Sequence, residues 1–151
     1  MSPDMMKILI FLLIPALSFA QKYNDGIYLE MEGKRCANKR LRLLNTESLV
    51  CASNKPFITA DEFKDISPLE VDQIESIRKF SIILSEEGSK RLAEVSRIYL
   101  GKNFAFISDD QVICLMKVDG VITTGKVIVK EDLSDSSLKY IYKKIKDSIQ
   151  P

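Results

Sequence analysis

Residue types that most often carry chemistry are sparse in this chain. It has no histidine, which removes the commonest general base, the usual nucleophile–base triads and most zinc chemistry. Carboxylates stand side by side at Glu86-Glu87, Asp109-Asp110 and Glu131-Asp132. Adjacent acids at a helix start or a turn serve capping and solvation, and their spacing gives no acid–base pair of the glycosidase kind. Asp109-Asp110 alone falls short of the six or more oxygens that calcium takes. Gly120 and Gly125 are isolated in turn contexts, so no phosphate-cradling loop is formed. The one local charge bias is Lys34, Arg35, Lys39, Arg40 and Arg42. Without interleaved aromatics, that cluster reads as a solvated face and not as a nucleic-acid site. The residues therefore assign no catalytic group, no cofactor and no metal.

Sulfur is the remaining reactive element. Cys114 lies inside the apolar run Val112-Ile113-Cys114-Leu115-Met116, where a buried, inert thiol is expected. Cys36 and Cys51 both fall in the N-terminal third. In a hairpin of Arg40–Leu44 and Ser48–Cys51 turning at Asn45-Thr46-Glu47, Cys51 comes near Leu41. A Cys36–Cys51 bridge then requires the Gly33–Lys39 loop to fold back, and connectivity is not fixed by sequence.

An oxidising compartment is expected from the first segment. Met5-Met6-Lys7 precede the apolar run from Ile8 to Ile14, Pro15 breaks it, and Ser18-Phe19-Ala20 supplies small residues where a signal peptidase reads. Residues 1–20 read as a signal peptide cut before Gln21, leaving an exported periplasmic or extracellular protein. No later stretch reaches the roughly 18 apolar residues of a membrane helix. Lys7 and Asp4 leave together, so the net charge stays at +1, and no strong field steers nucleic acid or an anionic membrane.

The elements follow from periodicity. At 151 residues, 46% hydrophobic and 28% charged, the chain is a single globular unit with a real core. Gly26–Met31 alternates, with Ile27, Leu29 and Met31 on one face, as a half-buried strand does. Thr59-Ala60-Asp61-Glu62 fits a capping box opening a short helix over Ala60–Asp65, ended before Pro68. Glu70–Leu84 reads as extended. Ser85 caps the next helix, with Leu92, Val95, Ile98 and Tyr99 as its apolar face and Gly101 as its stop. Phe104–Ile107 and Val112–Val118 are the most apolar strands, which predicts central positions, with a turn at Asp109-Asp110. Lys126–Lys130 is the last strand. Ser134 or Asp135 then caps a helix with Leu138, Ile141, Tyr142, Ile145 and Ile149 on one side, a stripe expected to pack on the sheet and not on a membrane. The fold class is α+β, a mostly antiparallel sheet with helices on one face.

One stretch resembles a known family. Ser81-Ile82-Ile83-Leu84-Ser85-Glu86-Glu87-Gly88 through Leu92 and Ser96, then Leu100-Gly101-Lys102-Asn103-Phe104-Ala105, is similar to the periplasmic head subdomain of SecD/SecDF protein-export subunits. Glu87, Gly88, Gly101, Lys102 and Ala105 match its motifs. Leu92 and Ser96 stand where Phe and Thr are usual, and Asp110 replaces the turn glycine. Lys55-Pro56-Phe57-Ile58-Thr59 and Ile122-Thr123-Thr124-Gly125-Lys126 resemble the flanking segments. The resemblance covers roughly residues 55–149, leaving 21–54 as N-terminal strands of the same globular unit, and the family's transmembrane helices are missing. It implies a fold and a polypeptide-contacting ancestry. Two function classes follow: a non-catalytic module binding a protein or polypeptide partner, or a hydrolase using carboxylate or Ser/Thr chemistry without histidine. For the module, strand addition at a sheet edge is the expected mode. The N-terminal strands are the expected edge, through Ile27, Leu29, Met31, Leu41 and Leu43.

Overall fold

A computed structural model describes residues 22–33, 36, 39–132 and 137–149, with the side chains of 131, 132 and 148 left aside. In chain order its elements are β1 (Gly26–Leu29), β2 (Leu41–Arg42), β3 (Leu49–Val50), β4 (Ile58–Thr59), β5 (Phe63–Ile66), β6 (Glu70–Asp72), β7 (Ile77–Leu84), α1 (Glu86–Ile98), β8 (Asn103–Ser108), β9 (Gln111–Lys117), β10 (Lys126–Asp132) and α2 (Ser137–Ile149). The fold is α+β with antiparallel sheets. The strands divide between two four-stranded sheets, one in the order β4-β1-β8-β9 and one in the order β10-β7-β5 with β6 also on β7, plus the ribbon β2-β3.

The two sheets share one core. Ile27, Phe104, Phe106 and Ile113 of the first sheet meet Phe63, Ile66, Phe80, Ile82, Leu84, Val127 and Val129 of the second. The rings of Phe63 and Phe106 lie 6.1 Å apart. Both helices feed the same core, α1 through Leu92 and α2 through Leu138, Ile141 and Ile145. Tyr142 meets Phe80 edge-on at 5.3 Å, so the apolar stripe of α2 is spent on its own sheet, as its period predicts. The proposed cap at Ser134 or Asp135 lies outside the described residues.

A second, smaller core covers the opposite face of the first sheet. Tyr28, Ala105, Ile107 and Val112 pack there against Tyr23, Leu41, Val50 and Ala52. Strand β8 thus alternates between two apolar environments, which is why Phe104–Ile107 is hydrophobic without interruption. The expected central position holds for β8, between β1 and β9, and fails for β9, which ends its sheet. The run in β9 is apolar because both of its faces are partly covered, although beyond the bridge of Leu43 to Val112 no strand among the described residues pairs with its outer edge.

Two local expectations are corrected. The Thr59 amide donates to Glu62 Oε2 at 2.9 Å, as a capping box requires, yet the helix is one 3₁₀ turn, Ala60–Glu62. Pairing of Phe63–Ile66 with Ile82–Leu84 of β7 takes the following residues into a strand, because those bonds also bury Phe63 and Ile66. Likewise Glu70–Leu84 is a hairpin, not one extended run: β6 turns into β7 where the Asp72 carboxylate accepts from the Ile74 and Glu75 amides. In α1, Ser85 Oγ accepts from the Gly88 amide at 3.1 Å, and the buried stripe is Gly88, Leu92 and Ser96. Tyr99 and Ile98, expected on the apolar face, are 36% and 64% exposed, since the spacing of four from Gly88 turns Ile98 away from the sheets and Tyr99 lies at the C-cap.

Candidate functional site: a cleft between two sheet edges

A concavity of about 560 Å³ opens between β9 and β10. Its walls are Cys114 to Lys117 of β9 with the following Val118, and Lys126 to Ile128 with Lys130 of β10, and Ile27, Leu92 and Phe104 form part of its lining. In a strand, successive side chains leave opposite faces. Walls made of consecutive residues are therefore strand edges and not strand faces. Both strands are terminal in their sheets.

Backbone directions follow from the bonds already made. Val118 donates to Lys102 O at 2.9 Å and accepts from the Gly101 amide at 2.7 Å, so its peptide groups point toward β8. By the alternation of an antiparallel ladder, Met116 does the same opposite Phe104. Leu115 and Lys117 then direct theirs to the open side. On β10, Gly125 O accepts from the Leu84 amide, which turns Val127 and Val129 toward β7 and leaves Lys126, Ile128 and Lys130 facing outward. The Lys126 amide is taken by Thr124 Oγ1 at 3.3 Å. No strand among the described residues pairs with this edge of β10.

The electrostatics of the cleft are simple. Among the described residues, Lys117, Lys126 and Lys130 line it together with one acid, Asp119, whose carboxylate is 3.9 Å from Lys117 Nζ in an exposed pair. Cys114 also lines it, and burial pushes its thiol up to about 12, which keeps it protonated and unreactive as a nucleophile. Ser96, buried on α1, accepts from the Ile122 amide at 2.9 Å and so anchors the segment between β9 and β10 to the helix.

The carboxylate pairs singled out in the sequence serve elsewhere. Asp109 and Asp110 form the β8–β9 turn, both with positive φ, 53° and 58°, the backbone a tight two-residue hairpin needs. Asp110 accepts from the Tyr23 amide at 3.0 Å and from Lys39 Nζ at 3.1 Å. The Tyr23 N–H bond, with Lys39 beside it, holds its carboxyl below the usual value. Asp25 accepts from Ser108 Oγ and from the Asp109 amide, both at 3.0 Å, and Asp109 is ion-paired to Lys144 of α2. Glu86 pairs with Lys90 one turn along α1. The side chains of Glu131 and Asp132 are outside the described residues, as are Lys34 and Arg35 of the basic cluster. Of that cluster, Lys39 joins Asp110, and Arg42 is exposed beside Glu47.

Cys36 and Cys51 are joined by a disulfide, with Cα atoms 5.8 Å apart, which holds Cys36 beside the end of β3. Strand β1 does not supply an open edge. Strand β1 pairs with β8 on one side and β4 on the other, and its second flank continues through Ser53 N to Leu29 O and Met31 N to Cys51 O. Ile27 is 0% exposed and Leu29 is half-buried, while Met31 is 44% exposed beyond the strand. Leu41 is buried in the second core and half-buried Leu43 packs beside it, and the Leu44 amide donates to Val112 O, tying this ribbon to the start of β9. The physical reason is the pairing of β1 with residues 51–59, distant in sequence, which the alternation within β1 does not encode. The edge residues missed from sequence, Lys117, Lys126, Ile128 and Lys130, did carry a signal: lysines on an otherwise apolar strand are a common way of protecting an edge.

No protein-family profile and no curated protein matches the chain. Among solved structures it is similar to one of a membrane component, SecDF, that enhances protein export, with a TM-score of 0.62, 18% identity, and 99% of this chain covered against 69% of that one. It is similar also to SecDF in a super-membrane-facing form, with a TM-score of 0.63 and 19% identity, where 99% of this chain spans 21% of the other. At this identity the likeness is one of fold, and it extends over the N-terminal strands as well as the stretch whose motifs resemble the SecD head. The chain therefore has a SecD-like fold.

Proposed function

We propose that the mature domain is a non-catalytic module that binds polypeptide in the β9–β10 cleft, in an exported, export-related role. One observation carries the reading: an apolar cleft walled by strand edges, the arrangement by which extended chains are held through main-chain bonds. The SecD-like fold supports it, since the similar structure is of a component that enhances protein export. The described turn and helix acids support it over the hydrolase reading, because Asp25, Asp109, Asp110 and Glu86 are each engaged by amides, a hydroxyl or lysines, in places apart from the cleft. The exported role rests on the leader-like residues 1–20, which are outside the described residues.

The test is binding of a permanently unfolded probe, a reduced and alkylated disulfide protein, to the chain beginning at Gln21. Binding with added amide protection at Leu115 and Lys117 and at Ile128 and Lys130 is the expected result. Absence of binding, or turnover of an ester, glycoside or peptide that is lost on replacing one carboxylate, would overturn it. Terminal mass analysis of the exported protein should find Gln21 first, and an intact Met1 there would remove the export part of the reading.

A further inference from the structure

Resting on that reading, we infer that the occupant of the cleft is an extended strand that pairs with the free edge of β10 and alternates apolar with acidic side chains. The edge supplies the pairing: the outward C=O groups of Lys126, Ile128 and Lys130 and the outward amides of Ile128 and Lys130 repeat every second residue, as a strand partner requires. Residues 126–130 are five, a length of about 16 Å at roughly 3.3 Å per residue, enough to seat a short strand. The side-chain preference follows from the two surroundings that such a strand meets. Its inward residues face Leu92, Phe104 and Met116, where an unpaired charge is costly. Its outward residues meet Lys117, Lys126 and Lys130 against the one acid Asp119 among the described lining residues, a rim with an excess of positive charge there. Acidic residues fit that rim, and lysines are repelled by it.

The partner is thus defined by chemistry: a flexible segment with valine-like and glutamate-like residues in alternation. Apolar-only segments satisfy the floor and leave the rim unused. Lysine-rich segments satisfy neither the rim nor the need for a net attraction.

The experiment titrates the mature protein, disulfide intact, with capped ten-residue peptides of alternating valine and glutamate, and with the valine–lysine counterpart. The valine–glutamate peptide should bind at least about tenfold more tightly, with the difference shrinking as salt is raised. Methylating the peptide nitrogens of one alternate set should weaken binding at least tenfold, and methylating the other set should not, since only one set faces β10. In the protein, Ile128→Pro removes an outward amide that β7 does not use, and Ile128 is 55% exposed, so the variant should fold and lose at least about tenfold in binding. Equal binding of the two peptides, or indifference to both methylation patterns, overturns the inference. If the unfolded probe still binds while these results are negative, polypeptide binding stands and only the strand mode falls. If Ile128→Pro does not fold, the methylated peptides on the unaltered protein decide the matter.

Discussion

Replacing Leu92 by alanine tests the packing on which the cleft depends. Leu92 is 1% exposed at the middle of the buried stripe of α1, in the core with Phe104, Phe106, Ile82 and Val127. Three carbons are lost, and at about 0.8 kcal/mol each the transfer cost is about 2.4 kcal/mol. A cavity adds to this, within the observed range of about 2–5 kcal/mol for buried leucine. Because Leu92 also lines the open cleft, the new void connects to solvent and the cavity contribution is small. Alanine returns a few tenths through helix propensity. The expected loss is about 2.5–3 kcal/mol. Urea unfolding followed by far-ultraviolet circular dichroism, with the disulfide kept oxidised, reads it directly. With m near 1.5 kcal/mol/M, the midpoint should fall by about 2 M at unchanged m. A loss under about 1 kcal/mol would place Leu92 outside the core and refute the assigned face of α1.

Three further outcomes are expected. Replacing Cys36 and Cys51 together by serine opens a bridge of sequence separation 15 and should cost about 3 kcal/mol in the chain-entropy account, read as a lowered thermal midpoint; an unchanged midpoint would show that the loop is held by other contacts. Cys114, its thiol raised to about 12 by burial, should resist alkylation at pH 8 in the native protein and react at once in denaturant; rapid native labelling would contradict the packing of β9. Asp110, held below its usual value by the Tyr23 amide and Lys39, contributes stability that is present above the unfolded carboxyl value of about 3.9 and is lost as pH falls through the lower folded value. Asp110→Asn should therefore be less stable than the parent at neutral pH, and the gap should close in acid; an equal gap at pH 7 and pH 2, measured by urea midpoints, would refute a charge-based role.

Much of the fold was legible because it is written in short-range periods. Leu138, Ile141, Tyr142 and Ile145 announce α2, Ser85 announces the start of α1, and the unbroken apolar run of Phe104–Ile107 announces a strand covered on both faces. The absence of histidine excluded histidine-based triads and most zinc chemistry in the same way. Motifs near Glu87-Gly88 and Gly101-Lys102 pointed to the SecD-like fold that the solved structures share. What the sequence alone could not decide is which strand lies beside which. Strand β1 looks like an edge until residues 51–59 close its second flank, and β9 looks central until the sheet ends there. The residues after the Thr59–Glu62 box look helical until β7 pairs with them. In each case the deciding bonds join residues far apart in the chain, and a main-chain donor is the same for every residue type but proline. Side-chain pattern therefore fixes which face is buried, while only the assembled tertiary structure determines which edges remain open, and with them where a cleft lies.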